Sequence, residues 1–307
     1  MEWLTNVTLN SKKFVISQQN ALLHNMINTL SFLLLISLFA FGIEVTERLG
    51  FILSLFVMPI YFGILLFSFY VLVVHEASHQ MFIYIPFNKK LNLWLNRIIA
   101  VPICALSFQD FYYGWEKGHF IHHREPIKDH DPQNCPSFCL YGNKLIIECL
   151  KVLFLPGYAF FKQSSCTLNK KREVIIGFIE GVLAWSAFYF FLPIKLETFI
   201  IILISSNIAM VINLVKVSME HAGAVMDRDD LRLRSKSSFF LLRHLIMPFN
   251  ITLHFEHHIH PRVPWYRLSD YHKLNRTMMS EQEQKEVFNL NTKQTLSQIL
   301  DGGHALS

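Results

Sequence analysis

Nine of the chain's 15 histidines fall into four short groups whose spacing suits metal binding. In His75-Glu76-Ala77-Ser78-His79 the two rings stand at i and i+4. In His119-Phe120-Ile121-His122-His123 and His254-Phe255-Glu256-His257-His258 the pattern is i, i+3, i+4. The fourth contribution is His221 alone, directly after Glu220. Helical residues three or four apart share a face, so each pair can point at one ion. Imidazole suits Zn, Cu, Fe and Ni alike, and the ligand type therefore leaves the metal open. Ligand number narrows it. Nine imidazoles exceed the set of one tetrahedral zinc, and they divide into four or five around each of two metals. Two such metals can bind O2 between them, and iron is the redox-active choice for that work. The expected ligands are His75, His79, His119, His122, His123, His221, His254, His257 and His258.

The elements that hold these groups are expected to sit in a membrane, on composition. The chain is 52% hydrophobic with 28 Phe, and its mean hydropathy is +0.31, too apolar for an ordinary soluble domain of 307 residues. Four stretches are long enough to cross a hydrocarbon core that needs about 20 helical residues. They run roughly over 26–45, 49–74, 174–193 and 196–219 and pair into two hairpins. A tight polar turn with Glu47 and Arg48 is expected between the first two, and Pro59 is expected to kink the second. Leu49–Val74 would run about 39 Å as a helix at 1.5 Å per residue, beyond the lipid. His75 and His221 follow the second and fourth spans on that projecting side. The apolar runs Ile98–Phe108 and Leu145–Phe161, broken by Pro102, Pro156 and Gly157, read as interfacial or half-inserted.

Of 28 Lys+Arg, only Arg48 and Lys195 lie in the hairpin turns, which places the other side, with both termini and every histidine group, in the cytoplasm. The fold expected is all-α integral membrane: four transmembrane helices in two hairpins, with a cytoplasmic helical cap carrying a histidine-rich dimetal site. No internal repeat or linker divides the chain, so one domain over 1–307 is expected. The setting expected is a bacterial inner membrane or the endoplasmic reticulum. The polar N-terminus shows no removable signal peptide. Five cysteines, Cys104, Cys135, Cys139, Cys149 and Cys166, form no C-x-x-C and read as reduced structural thiols. A formal charge of +5 with no basic stripe suits a membrane surface and is too diffuse to argue for nucleic acid, which is not expected as a partner.

The three boxes, in this order, resemble those of the membrane fatty acid desaturase and hydroxylase superfamily. The segment His257-His258-Ile259-His260-Pro261-Arg262-Val263-Pro264-Trp265-Tyr266-Arg267-Leu268 is similar to that family's extended third box. Glu220-His221 with the following His-x2-His-His-x-His-Pro also resembles the alkane monooxygenase branch, where a matching Glu-His supplies a further ligand. The likeness runs from about Val74 to Leu268. It implies two Fe ions, O2 as cosubstrate, and oxidation of a C–H bond in a lipid or acyl chain. Desaturation is the first reading; hydroxylation or another oxygenation of an acyl, alkane or carotenoid substrate is the alternative from the same site. No cytochrome b5-like segment is fused to the chain, so a separate electron donor, of ferredoxin or cytochrome b5 type, is expected beside the lipid substrate and the bilayer.

Other readings exist for the same residues. His75-Glu76-x-x-His79 is literally the zinc-protease signature, but that chemistry leaves the second and third boxes unexplained. A metal transporter would place its ligands inside the spans. His24, His130, His244, His272 and His304 stand outside the groups and read as surface or packed residues, with His272→Ala expected to be neutral. His260, two residues past its box, reads as a non-ligand. Glu180 is the one acidic residue well inside a span and reads as a hydrogen-bonded neutral acid. Lys216 and Glu220, four apart, are expected to pair. Asp110, Asp129, Asp131, Glu220, Glu256 and Asp270 are the carboxylates available to accept from ligand N–H groups.

Overall fold

The computed structural model describes residues 2–128, 130–132, 139–155, 157–158 and 170–303. Asp129, Cys135, Pro156, Cys166, His304 and the end of the run Leu145–Phe161 lie outside the described residues. The described chain is helical apart from one parallel pair of two-residue strands, Ser237–Ser238 beside Phe288–Asn289. Four helices are long and apolar enough to cross a membrane: Gln18–Leu49, Phe51–Ser78, Arg172–Phe191 and Leu196–His221. Helices satisfy every backbone group internally, as a hydrocarbon setting requires. Their outward faces carry large apolar side chains such as Leu30, Ile52 and Phe56. The protein is an all-α integral membrane protein.

The chain divides into two compact units, Met1–Asn20 with Phe120–Cys149 and Leu214–Ser307, and Ala21–His119 with Leu150–Asn213. The second of these holds most of the spanning helices. Its first hairpin turns at a single residue, Gly50, with φ 77°, which only glycine adopts without strain. The polar turn expected at Glu47 and Arg48 is thus still helix: Arg48 pairs with Glu44 one turn back, and Glu47 Oε1 accepts from the Lys195 backbone N–H at 3.1 Å. A methyl group added at Gly42 would lie 2.4 Å from the Tyr61 ring, so the first two spans approach as only small residues allow.

Within the second span Phe51–Phe69 is α-helical through Pro59, and Tyr70–His75 continues as π-helix before the short α segment Glu76–Ser78. Wider turns of this kind recur at functional sites because they re-aim side chains. A second one, Phe111–Lys117, leads into the helix Gly118–Arg124 that carries the second histidine group. Just after His79 the chain is held in an amide cradle. Asn28 donates to the carbonyls of Met81 and Phe82, His24 Nε2 contacts Met81 O at 2.5 Å, and Asn96 bonds both backbone groups of Ile83. The helix Lys89–Ala105 buries Asn92, Asn96, Ala100 and Cys104, four apart in turn, and leaves Leu91, Trp94 and Ile98 exposed, an amphipathic face suited to a lipid surface.

The other unit is built around Trp3, Leu4, Leu253, Phe255, Tyr271 and Phe288. Its last helix, Thr292–Asp301, clamps the segment that follows His221. Gln298 Nε2 donates to Ala222 O at 2.6 Å, and Ala224 N–H donates to Gly302 O at 3.1 Å. Gly223 sits there at φ +70°, and a Cβ on it would lie 2.1 Å from Gly302 O. Gly223→Ala is therefore expected to destabilise the protein by at least the 1–3 kcal/mol, roughly, of a strained backbone position. Thermal unfolding in detergent checks it against Gly114→Ala, whose added methyl meets nothing within 4 Å.

Candidate metal centre

Three helical segments bring His122, His221, His254 and His258 together within one unit, with one ring nitrogen from each lying within 4.8 Å of the others. His122 comes from Gly118–Arg124, His221 ends the fourth span, and His254 and His258 sit one turn apart on His254–Ile259. His221 therefore joins the boxes although it lies outside them in sequence.

The outward nitrogens fix the ring orientations. His122 Nδ1 donates to Asp131 Oδ2 at 2.8 Å, and His221 Nδ1 donates to the Arg234 carbonyl at 2.7 Å. His254 Nδ1 faces Glu220 Oε1 at 3.3 Å, and Glu220 is held by Lys216 at 2.6 Å. The Nε2 atoms then face one another: His122 to His221 at 3.2 Å, His221 to His254 at 2.8 Å, and His254 to His258 at 3.0 Å. A neutral imidazole that donates through Nδ1 carries a lone pair on Nε2. Lone pairs converging at these distances repel unless a cation lies among them, so the donor set fits a bound metal. Burial, reinforced by neighbouring imidazoles, lowers the pKa of His254 and His258 well below the usual value and keeps them in the neutral, ligating form. In the same unit His123 stacks on His258 with ring centroids 4.3 Å apart and meets His257 at 4.6 Å.

The other unit gathers a second group. His75 and His79 have ring centroids 5.1 Å apart, and His119 lies 5.0 Å from the first and 4.9 Å from the second. His79 ends the Glu76–Ser78 segment with φ −89° and ψ 2°, so it leaves the helix instead of completing a regular i, i+4 pair. The Trp115 ring packs on His119 at 4.9 Å, and its Nε1–H donates to Tyr70 Oη at 2.6 Å and Gln109 Oε1 at 2.8 Å; the Tyr70 hydroxyl also bonds Gln109. Sequence reading missed Tyr70, Gln109 and Trp115. Trp115 stands four residues before His119, a same-face spacing that could have drawn notice.

Tyr70 also lines a cavity of about 970 Å³ within this unit. Its walls are mostly apolar, with Phe32, Phe39, Phe69, Trp185 and Phe188 among them. One of its lining residues, Tyr70, thus touches Trp115, which in turn packs on a histidine of the second group.

The carboxylates sort themselves by burial. Asp131, with a side chain fully removed from solvent, serves His122 and also accepts from Ile127 N–H at 2.8 Å. Asp110 instead caps the helix at Tyr113 N–H, and exposed Asp270 pairs with Lys273. Glu256 accepts from His272 Nδ1 at 2.5 Å. His272 is buried in that contact, the packed one of the two expected settings, and so does not serve as a neutral control. Exposed His244 is the better control. Buried His24 belongs to the cradle, and His130 pairs with Glu125 at 2.6 Å. His260 caps its helix in an extended conformation and joins neither group, and Glu180 Oε2 is buried with no hydrogen bond among the described residues. Asp131→Asn is expected to weaken metal binding about 10–100-fold, because the charged acceptor that sets the His122 tautomer is lost. Chelator-competition titration measures it.

The sequence model of a family described as "Fatty acid desaturase" matches residues 50–287, well over half of the chain. A search of curated proteins found no match.

Proposed function

The chain belongs to the fatty acid desaturase family, and from that premise we propose that it uses O2 to oxidise an unactivated C–H bond of a lipid acyl chain, with a double bond as the product. The observation that carries the reading is the apolar cavity that reaches Tyr70, whose hydroxyl is bonded by the Trp115 indole that packs on His119. An acyl chain needs an apolar slot beside the reacting centre, and pockets of this size bury most of such a ligand. We propose that the nine grouped histidines are the ligands of two irons. Bound iron supplies O2 activation, with two electrons from a separate donor protein of ferredoxin or cytochrome b5 type. The protein's own residues do the positioning. Asp131, Glu220 and the Arg234 carbonyl hold the imidazoles with Nε2 inward, and the aromatic walls keep water from the chain being oxidised.

Lipid and fatty-acid mass spectrometry of cells with and without expression, under limiting and ample O2, tests the reaction. New unsaturated chains that require O2 support desaturation. New hydroxylated chains point to the same site returning oxygen to the substrate. An unchanged lipid profile together with protease activity lost in Glu76→Gln would replace this reading with the zinc-protease one.

The distribution of basic residues supports an orientation with both termini and the histidine groups in the cytoplasm. Cysteines introduced at Glu47 and Glu197 are expected to react with impermeant reagent only from the opposite side. Labelling of either from the cytoplasm overturns the orientation.

A further inference from the structure

We infer that His272, which is not a metal ligand, is a positioning residue for the metal centre: through Glu256 it sets the orientation of the helix that carries His254, His257 and His258. The inference rests on reading those histidines as ligands. Helix His254–Ile259 has only six residues, and no side chain caps its N-terminus at Leu253. So short a helix has little stability or fixed direction of its own. Its orientation must come from what grips it. Residues two apart stand about 200° from one another on a helix, so Glu256 points away from the face that His254 and His258 present.

That rear face is where the grip is found. Glu256 is fully buried, a costly place for a carboxylate unless it is bonded. His272 Nδ1 donates to Glu256 Oε1 at 2.5 Å, and the Ser237 hydroxyl donates to the other oxygen. Ser237 Oγ also accepts from the Phe255 backbone N–H at 3.0 Å, satisfying one of the helix's open first-turn donors. The His272 ring is in turn fixed between Phe239, at 4.8 Å, and Phe288, at 4.7 Å. Phe288 lies in one strand of the small parallel pair and Phe239 directly follows the other, while His272 belongs to helix Leu268–Thr277. Two further segments of the unit thus meet on one carboxylate behind the metal-facing imidazoles. Loss of the His272 bond leaves Glu256 buried with a single side-chain donor and frees the helix to rotate.

The test is Co²⁺ binding by the purified full-length protein in detergent, read from the visible absorption of the bound ion and by chelator competition. His272→Ala is expected to bind about 10–100-fold more weakly, the usual effect of losing an outer partner of a metal-binding group. His272→Asn, whose amide N–H replaces Nδ1–H, is expected to recover most of the affinity, and His244→Ala to match the parent. The double variant His272→Ala with Glu256→Gln is expected to lose no more than the worse single variant, because both act through one contact. Parent-like Co²⁺ affinity in His272→Ala overturns the proposal, as does failure of a folded His272→Asn to bind better than His272→Ala. Should His272→Ala not fold, Ser237→Ala decides: weaker binding supports the proposal and unchanged binding overturns it. A parent protein that binds no Co²⁺ overturns the metal-centre reading itself, and the positioning role with it.

Discussion

His221→Ala is expected to empty the four-histidine group of iron and to abolish lipid oxidation, although His221 lies outside all three boxes. Its Nε2 is at hydrogen-bonding distance from two other members of that group, 3.2 Å from His122 and 2.8 Å from His254. Removing it leaves three imidazoles and a gap at the centre of the set. Losing a partner behind a ligand already costs about 10–100-fold in affinity or activity, so loss of the ligand itself is expected to exceed that range. Iron per chain by elemental analysis and oxidised lipid by mass spectrometry should fall together, with His244→Ala unchanged in both. Full iron and full turnover in His221→Ala would remove it from the ligand set and turn attention to His260.

Ala209→Trp is expected to separate substrate binding from metal binding. Ala209 lines the apolar cavity from the fourth spanning helix, beside Met210 and Asn213. An indole there fills space that an acyl chain would occupy, while the grouped histidines are untouched. A single methylene that no longer fits is worth about 1–3 kcal/mol, or roughly 10–200-fold in selection between substrates. Turnover of long chains should therefore fall at least about tenfold, and the products should shift toward shorter chains. Iron content should stay at the parent level. An unchanged product distribution at unchanged turnover would show that substrate does not enter this cavity.

Much of this protein was legible in its sequence because membrane helices and metal ligands both leave local marks. A spanning helix requires an unbroken apolar run, so each of the four expected spans overlaps an observed helix, Gln18–Leu49, Phe51–Ser78, Arg172–Phe191 or Leu196–His221. The ends differ where local chemistry decides. Gly50, with its positive φ, makes the first turn, and helix continues through Glu47 and Arg48. Histidines at i, i+3 and i+4 can share a face, and this spacing, with Glu220-His221, brought forward residues whose rings the fold gathers. Lys216 and Glu220 also pair as their spacing requires.

Tertiary structure alone decided which partners those residues take. Spacing cannot show that His258, rather than His257, sits with His254, His221 and His122, because that depends on how a six-residue helix is rotated in its surroundings. Nor can it choose among six carboxylates. Asp131 serves His122 because it is buried nine residues along the chain in a loop that also satisfies Ile127 N–H, whereas Asp110 is used up as a helix cap. His272 looked dispensable because its partner, Glu256, is 16 residues away and hidden on the back of the third box. The sequence by itself determined the kinds of element and the candidate ligands, since hydrocarbon thickness and imidazole spacing act on neighbouring residues. The fold decided orientation, tautomer and the shape of the cavity, since these depend on contacts between segments far apart in the chain.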